Sequence, residues 1–396
     1  MKKYVLATTA LILLIFWPIQ AQESAIPVES RVVAPERFNT ISETNYLTTL
    51  ALRGFNLESQ GLFIESLDGS MVFADHHSDI ASNPASVIKV ATSLAALTQL
   101  GPDYQFETAF YADGPINKRT KTLQGDLILH ATGDPLLTAV EFNRLIRQVT
   151  AAGIRIVTGR VLVTGPLSFG TYYTTDRAVK RLGVVLRTMG VAIKKGIIRD
   201  GTVRGTRLGS HMSKSLREIL FYQNAHSSNP IAERVGEALG GPRAVQDFLV
   251  EDVGLSQTDV FVGRTSGLDF NRITPKGTVQ VFRKLVSWLD EHGMKPQDIL
   301  PVAGIDAGTL QRRFTTQDYR GAIVGKTGSL PGTDGGVSTL AGLAFTRDRG
   351  PIVFAIFNNR GSVNTYRRLQ DELLKDLIVE FGGPSEINVS SRRLSN

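Results

Sequence analysis

The chain contains no cysteine among its 396 residues. Disulfides are therefore excluded, and so is a lipid anchor carried on a cysteine; an exported form must stand on its core alone. Histidine is scarce too, six in all, and no spacing among them suits a metal. No stretch clusters lysine or arginine with aromatics, which argues against nucleic acid as a partner. Internal repeats and low-complexity blocks are missing. Acidic residues are the scarcer sign: 37 Asp and Glu face 44 Lys and Arg, a net charge of +7. Lys2 and Lys3 account for two of these, which leaves +5 without them. Such an excess would draw an exported chain to anionic lipid head groups or acidic wall polymers, or it is simply a solvated surface.

What is present begins with Met1-Lys2-Lys3, an apolar run from Tyr4 to Trp17, and a small residue at Ala21. This is the layout of a secretory leader cut after Ala21, and it predicts a periplasmic or otherwise extracytoplasmic protein. The apolar run is short for a membrane span, and an uncleaved anchor is the alternative. Residues 22–44 are polar with scattered proline and read as a linker. Residues 383–396 read as a disordered tail. The remainder, in a chain 42% apolar and 20% charged, has ordinary globular composition and length for two domains or one large one.

Alternation and turn residues predict a hairpin of strands 61–67 and 71–74, with Asp68-Gly69-Ser70 at the turn. Further strands are expected at 105–111 and 125–130, and a β-rich run at 155–164. Helices fit 46–52, 139–152, 176–189, 216–221, 230–239 and 276–292. A strand at 322–324 and a hairpin of 337–346 with 352–358 follow. A last helix over 363–381 stacks Tyr366, Leu369, Leu373, Leu377 and Phe381 on one face, and Gly382-Gly383-Pro384 stops it. Strands at both ends with helices between suggest one sheet assembled from both termini, with helices filling one side. Many β-rich residues intervene after the first helix of that core. They predict a smaller module at 103–205 inserted between catalytic segments 45–102 and 206–382.

The chain is organised around Asn83-Pro84-Ala85-Ser86-Val87-Ile88-Lys89. Pro84 disfavours helix before it, and the apolar run after Ser86 predicts a buried helix starting there. Ser86 and Lys89 stand three apart and share a helix face. A hydroxyl beside a desolvated amine is a nucleophile with its base, and a helix start favours a developing oxyanion. Alone, this pattern also fits a capped core helix with a snorkelling lysine.

Two later stretches change that balance. Ser227-Ser228-Asn229 falls between two helices, where a hydroxyl and an amide can be aimed into a cleft; alone it is equally a cap before Pro230. Lys326-Thr327-Gly328 lies on a strand, and offers cation, hydroxyl and a close backbone approach to an anionic peptide. A phosphate loop is the rival reading, but Gly321 and Gly325 are one residue too close, and Pro331 and Gly332 follow instead of a helix.

Serine-x-x-lysine, serine-x-asparagine and lysine-threonine-glycine, in that order, resemble the penicillin-recognising serine enzymes. Gly125-Asp126-Leu127, Gly133-Asp134-Pro135, Leu300-Pro301-Val302-Ala303-Gly304 and Leu340-Ala341-Gly342 narrow the resemblance. They are similar to the D-alanyl-D-alanine carboxypeptidase/endopeptidase family, peptidase family S13, the low-molecular-mass class C penicillin-binding proteins. The resemblance spans about residues 45–381. It implies an α/β penicillin-binding, serine β-lactamase-like sandwich: a central antiparallel sheet from both termini, helices packed on it, and a smaller inserted module. It implies acyl transfer from the D-Ala-D-Ala ends of peptidoglycan stem peptides, with β-lactam antibiotics as covalent inhibitors and no metal or cofactor. By position, Ser86 is the nucleophile, Lys89 its base, Ser227 and Asn229 cleft residues, and Lys326 and Thr327 the carboxylate binders. Gly328 permits close approach, and the backbone N–H groups of Ser86 and Ser329 form the oxyanion hole. Lys326 is expected at the cleft edge, fully charged. Ser227 follows Ser86 by only 141 residues, short for this family, so one inserted domain should be missing. Arg264-Thr265-Ser266-Gly267-Leu268 replaces a familiar Asp-Gly-Ser-Gly-Leu run. A β-lactamase or esterase on the same fold and a non-catalytic wall-binding protein are the competing functions. The former needs a deacylating carboxylate, for which Glu65 and Asp68 are the nearby candidates in sequence.

Overall fold

The computed structural model describes residues 35–385. The predicted leader, the linker up to residue 34 and the tail beyond 385 lie outside them. The described helices are α1 (Ile41–Leu52), α2 (Lys89–Leu100), α3 (Ala139–Ala151), α4 (Thr175–Thr188), α5 (Leu216–His226), α6 (Asn229–Ala238), α7 (Pro242–Glu251), α8 (Pro275–Glu291) and α9 (Val363–Glu380).

A six-stranded sheet forms the centre, in the order Glu36–Arg37, Met71–His76, Gln60–Ser66, Gly350–Asn358, Val337–Thr346, Ile323–Leu330. Neighbours are antiparallel, apart from the short first strand, which runs parallel to its partner. The two ends of the chain therefore meet where Gln60–Ser66 pairs with Gly350–Asn358, Phe63 opposite Ala355. Ile323–Leu330 is left at the edge; Pro301 to Ala303 bond its first half (Ala303 N–H to Ile323 O, Gly325 N–H to Pro301 O), and the rest is free to offer backbone groups.

Helices cover both faces rather than the one face expected. Phe63, Val353, Ala355 and Phe357 pack with α2 and α8, while Leu62, Ile64, Phe354 and Ile356 pack with α1 and α9. The cause is legible in the strand itself. Ile352 to Phe357 is apolar at every position, so each face of the sheet needs a cover.

Residues 107–212 build separate sheets. The larger has the order Ile197–Arg199, Val161–Thr164, Asp126–Ala131, Glu107–Asp113, Thr206–Met212, and encloses its own core with α3 and α4. The expected boundary at 205 cuts this sheet. Thr206–Met212 pairs antiparallel with Glu107–Asp113 and belongs on the module's side of it. None of that strand's residues is buried and most are polar, so it carries no apolar alternation to read.

Two further boundaries move. The expected linker ends by Glu36, whose strand pairs with Met71, and α1 starts at Ile41 because the Thr40 hydroxyl accepts from the Glu43 N–H (3.2 Å). The start of the expected tail is tied down: Arg347 N–H donates to Gly383 O (2.9 Å) and Ser385 N–H to Phe345 O (3.0 Å). α7 and the short strand pair Val260–Val262 with Asn271–Ile273 were not foreseen.

Candidate active site

Ser86 is the second residue of a short 3-10 turn, Ala85–Ile88, that runs directly into α2. Ala85 has φ of +46°, a costly conformation for a residue with a Cβ. It is held there from several sides. The Asn83 side chain accepts from the Ala85 N–H (2.9 Å), and the Thr339 hydroxyl donates to Pro84 O (2.8 Å). Gly267, at φ +82°, lies so close that a Cβ would stand 2.0 Å from Ala85 O. Gly328 closes the other side, where a Cβ would be 2.7 Å from Pro84 O and 2.9 Å from Ala85 Cβ. The glycine of the third motif is thus required by contact with the loop of the first.

Lys89 is fully buried at the start of α2. Its ammonium donates to Ser86 Oγ (2.8 Å), to Asn229 Oδ1 (2.7 Å) and to the carbonyl of Ser266. Burial lowers its pKa to about 7, only partly offset by the Glu233 carboxylate nearby. An amine with such a pKa can accept the Ser86 proton at neutral pH.

The second motif arrives through a sharp corner. Ser227 ends α5 in a left-handed conformation, φ +54°, and Asn229 opens α6 with Pro230 behind it. Lys326 Nζ donates to Ser227 Oγ (2.9 Å) and to Thr327 O (2.7 Å). Here the structure departs from expectation. Lys326 is not at the cleft edge but fully buried, and burial together with the Lys89 charge lowers its pKa well below the ordinary lysine value. The reason is its place on the strand: its side chain runs inward, under the strand edge, toward Ser227. Thr327 is 7% exposed. The Ser329 hydroxyl donates to Gly328 O (2.7 Å) and accepts from Arg367 Nη2 (2.9 Å).

The predicted residues thus form two bonded groups, Ser86–Lys89–Asn229 and Lys326–Ser227, side by side. Sequence reading missed several supports. Glu233 accepts from the Ser266 N–H (3.2 Å) and steadies the loop whose carbonyl holds Lys89. Its spacing of four from Asn229 on one helix was the available signal. Thr265 donates to Ala232 O (3.0 Å), and Gly267 lies against Ala85 O, so the 264–268 run locks against α6 and the nucleophile loop. Glu65 pairs with Arg283 (3.2 Å), and Asp68 bonds Ser66 and Ser70 in its turn, so neither hydrogen-bonds a residue of the site. The His226 ring packs on Tyr222, centroids 4.4 Å apart.

A central antiparallel sheet covered on both faces, with a serine at the buried start of a helix beside its edge strand, defines the penicillin-binding fold. The chain belongs to the D-Ala-D-Ala carboxypeptidase 3 (S13) family, whose sequence profile matches residues 49–168 and 163–375. It is 31% identical over 103 residues to the D-alanyl-D-alanine carboxypeptidase DacB of Haemophilus influenzae, an aligned stretch that covers 26% of this chain and 21% of that relative. The crystal structure of penicillin binding protein 4 (dacB) from Haemophilus influenzae superimposes with TM-score 0.71 at 20% identity, over 84% of this chain and 98% of that one. A predatory peptidoglycan endopeptidase from Bdellovibrio bacteriovorus, also solved in a penicillin G-acylated form, superimposes with TM-score 0.68 at 20% identity, over 84% and 95%. At these identities the superpositions establish the fold.

Proposed function

We propose that the chain is an exported, extracytoplasmic serine-type DD-peptidase, a D-alanyl-D-alanine carboxypeptidase with endopeptidase chemistry open to it, acting on peptidoglycan stem peptides through an acyl-enzyme on Ser86. The observation that carries this reading is the 2.8 Å contact between Ser86 Oγ and an amine whose pKa burial lowers to about 7. The names of the relatives support the substrate class.

Neutral Lys89 takes the hydroxyl proton as Ser86 Oγ attacks the carbonyl carbon of the penultimate D-alanine. The developing oxyanion lies between the N–H groups of Ser86 and Ser329, at a helix start and on an unpaired strand edge. Collapse breaks the C–N bond and the leaving amine takes a proton from Ser227 Oγ; Lys326 returns one to Ser227, and the proton that Lys89 took from Ser86 restores Lys326, so that Lys89 is neutral again. Lys326 therefore acts through Ser227 and not by touching the carboxylate. Water, deprotonated by this neutral Lys89, then attacks the ester carbonyl; Ser86 Oγ leaves with the proton that Lys89 gives back, and the shortened peptide is released. Asn229 holds Lys89 by one hydrogen bond and offers its N–H groups to the substrate amide, while Thr327 meets the terminal carboxylate. Gly328 keeps strand and nucleophile loop in contact. A β-lactam enters by the same attack; ring opening keeps its leaving group attached, which leaves the ester on Ser86. The module of residues 107–212 is an insertion in the catalytic domain.

The test is intact mass after incubation with penicillin, together with D-alanine release from a pentapeptide. One stable adduct that Ser86→Ala abolishes, and D-alanine release from the unmodified protein, are expected. Rapid turnover of penicillin without peptide cleavage would make it a lactamase.

A further inference from the structure

Lys326 is 0% exposed, and its ammonium donates to Ser227 Oγ and Thr327 O rather than standing open to an incoming carboxylate. Another cation stands in the open beside the same strand. Arg367, on α9, is exposed, and its Nη2 donates to Ser329 Oγ at 2.9 Å. Thr327 and Ser329 share one face of the edge strand, so Arg367 extends a row of hydroxyls. No carboxylate lies within ion-pair distance of it among the described residues. The acid one helical turn on, Asp371, is taken by Arg313 Nε (2.8 Å) instead. The backbone that carries Arg367 is fixed. Tyr366 is buried and donates to Asn359 O (2.8 Å); Gln370 donates to Ser338 O (3.1 Å), and Ser338 is the register partner of Ser329.

We propose that Arg367 is the carboxylate-recognising cation of this site: its guanidinium, with the hydroxyls of Thr327 and Ser329, takes the α-carboxylate of a peptide lying along the edge strand. This deepens the peptidase reading and rests on it for the identity of the peptide. A guanidinium stays charged at every working pH and matches a carboxylate in two parallel hydrogen bonds. It also stands open to solvent, where the Lys326 ammonium is enclosed. Partial solvent access limits the gain to about tenfold in affinity, the low end for hydrogen bonds to a charged group.

Binding is measured by calorimetry in the Ser86→Ala background, which cannot turn over, with an N-acylated D-alanyl-D-alanine peptide and its C-terminal amide. The free acid should bind about tenfold more tightly than the amide. Adding Arg367→Ala should bring the ratio to about one, and Arg367→Lys should restore part of it. Kinetics on the unmodified nucleophile should show the Arg367→Ala loss in KM for the acid and little change for the amide. An acid-to-amide ratio that Arg367→Ala leaves unchanged overturns the proposal, as does failure of both peptides to bind. Preserved acid preference without any turnover would overturn the peptidase reading and leave the carboxylate site standing.

Discussion

Asn229 Oδ1 accepts a 2.7 Å hydrogen bond from Lys89 Nζ across 140 residues of chain. All three acceptors of that ammonium are neutral: a side-chain amide, a hydroxyl and a peptide carbonyl. Neutral acceptors orient a cation but do not repay the loss of its hydration, so burial decides the protonation state.

The pH dependence of acylation follows. The reactive form has Lys89 neutral, and its pKa is about 7. The second-order rate of penicillin acylation should rise through about pH 7 and fall about tenfold per unit below it. Lys89→Arg should abolish acylation, because a guanidinium does not release its proton. Stopped-flow or quenched labelling across this range is the check, and a flat profile would remove Lys89 as the base.

Two substitutions should move that limb in opposite directions. Asn229→Asp places a carboxylate in contact with Nζ, stabilises the ammonium, and should shift the limb up by about 1–3 pH units. Glu233→Gln keeps an oxygen for the Ser266 N–H but removes a charge that favours the ammonium, so the limb should move down. Both are read from the pH profile rather than from activity at one pH. Shifts of the same sign would show that the electrostatic assignment is mistaken.

Much of this site was legible because its residues are close in sequence. Ser86 and Lys89 lie one helical turn apart, and the apolar run behind them announces a buried helix. The six-residue apolar stretch Ile352 to Phe357 also foretells a sheet covered on both sides, though only one face was expected to be covered. What was not legible depends on packing between distant segments. The burial of Lys326 follows from which side of the edge strand it leaves, and Arg367 meets Ser329 only after α9 docks on Ser338. Thr206–Met212 has no buried residue and is mostly polar, so it leaves no hydrophobic pattern.

The burial of Lys326 reverses an expectation about its replacement. A lysine at an open edge would tolerate arginine, since charge is all it supplies. Here Nζ sits enclosed, 2.9 Å from Ser227 Oγ, with no room for a planar guanidinium. Lys326→Arg should therefore lose acylation nearly as completely as Lys89→Arg, and should lower the melting temperature as well. Retention of a tenth or more of the acylation rate would contradict this account of an enclosed relay.

Gly328 offers the sharpest steric test. A Cβ there would lie 2.2 Å from Thr339 Oγ1 and 2.7 Å from Pro84 O. Thr339 could rotate away only by giving up its 2.8 Å bond to Pro84 O, the bond that ties the nucleophile loop to the sheet. Pro84 O is backbone and cannot move without carrying Ser86 with it. Gly328→Ala should therefore part the edge strand from the loop, destabilise the fold by about 1–3 kcal/mol and slow acylation about a hundredfold. Gly332, two residues beyond the strand, has nothing within 4 Å of a Cβ, and Gly332→Ala should be silent in both measurements. Thermal denaturation and penicillin acylation rates on the pair decide the matter. Equal behaviour of the two variants would mean that the contact between the first and third motifs does not set the geometry of Ser86.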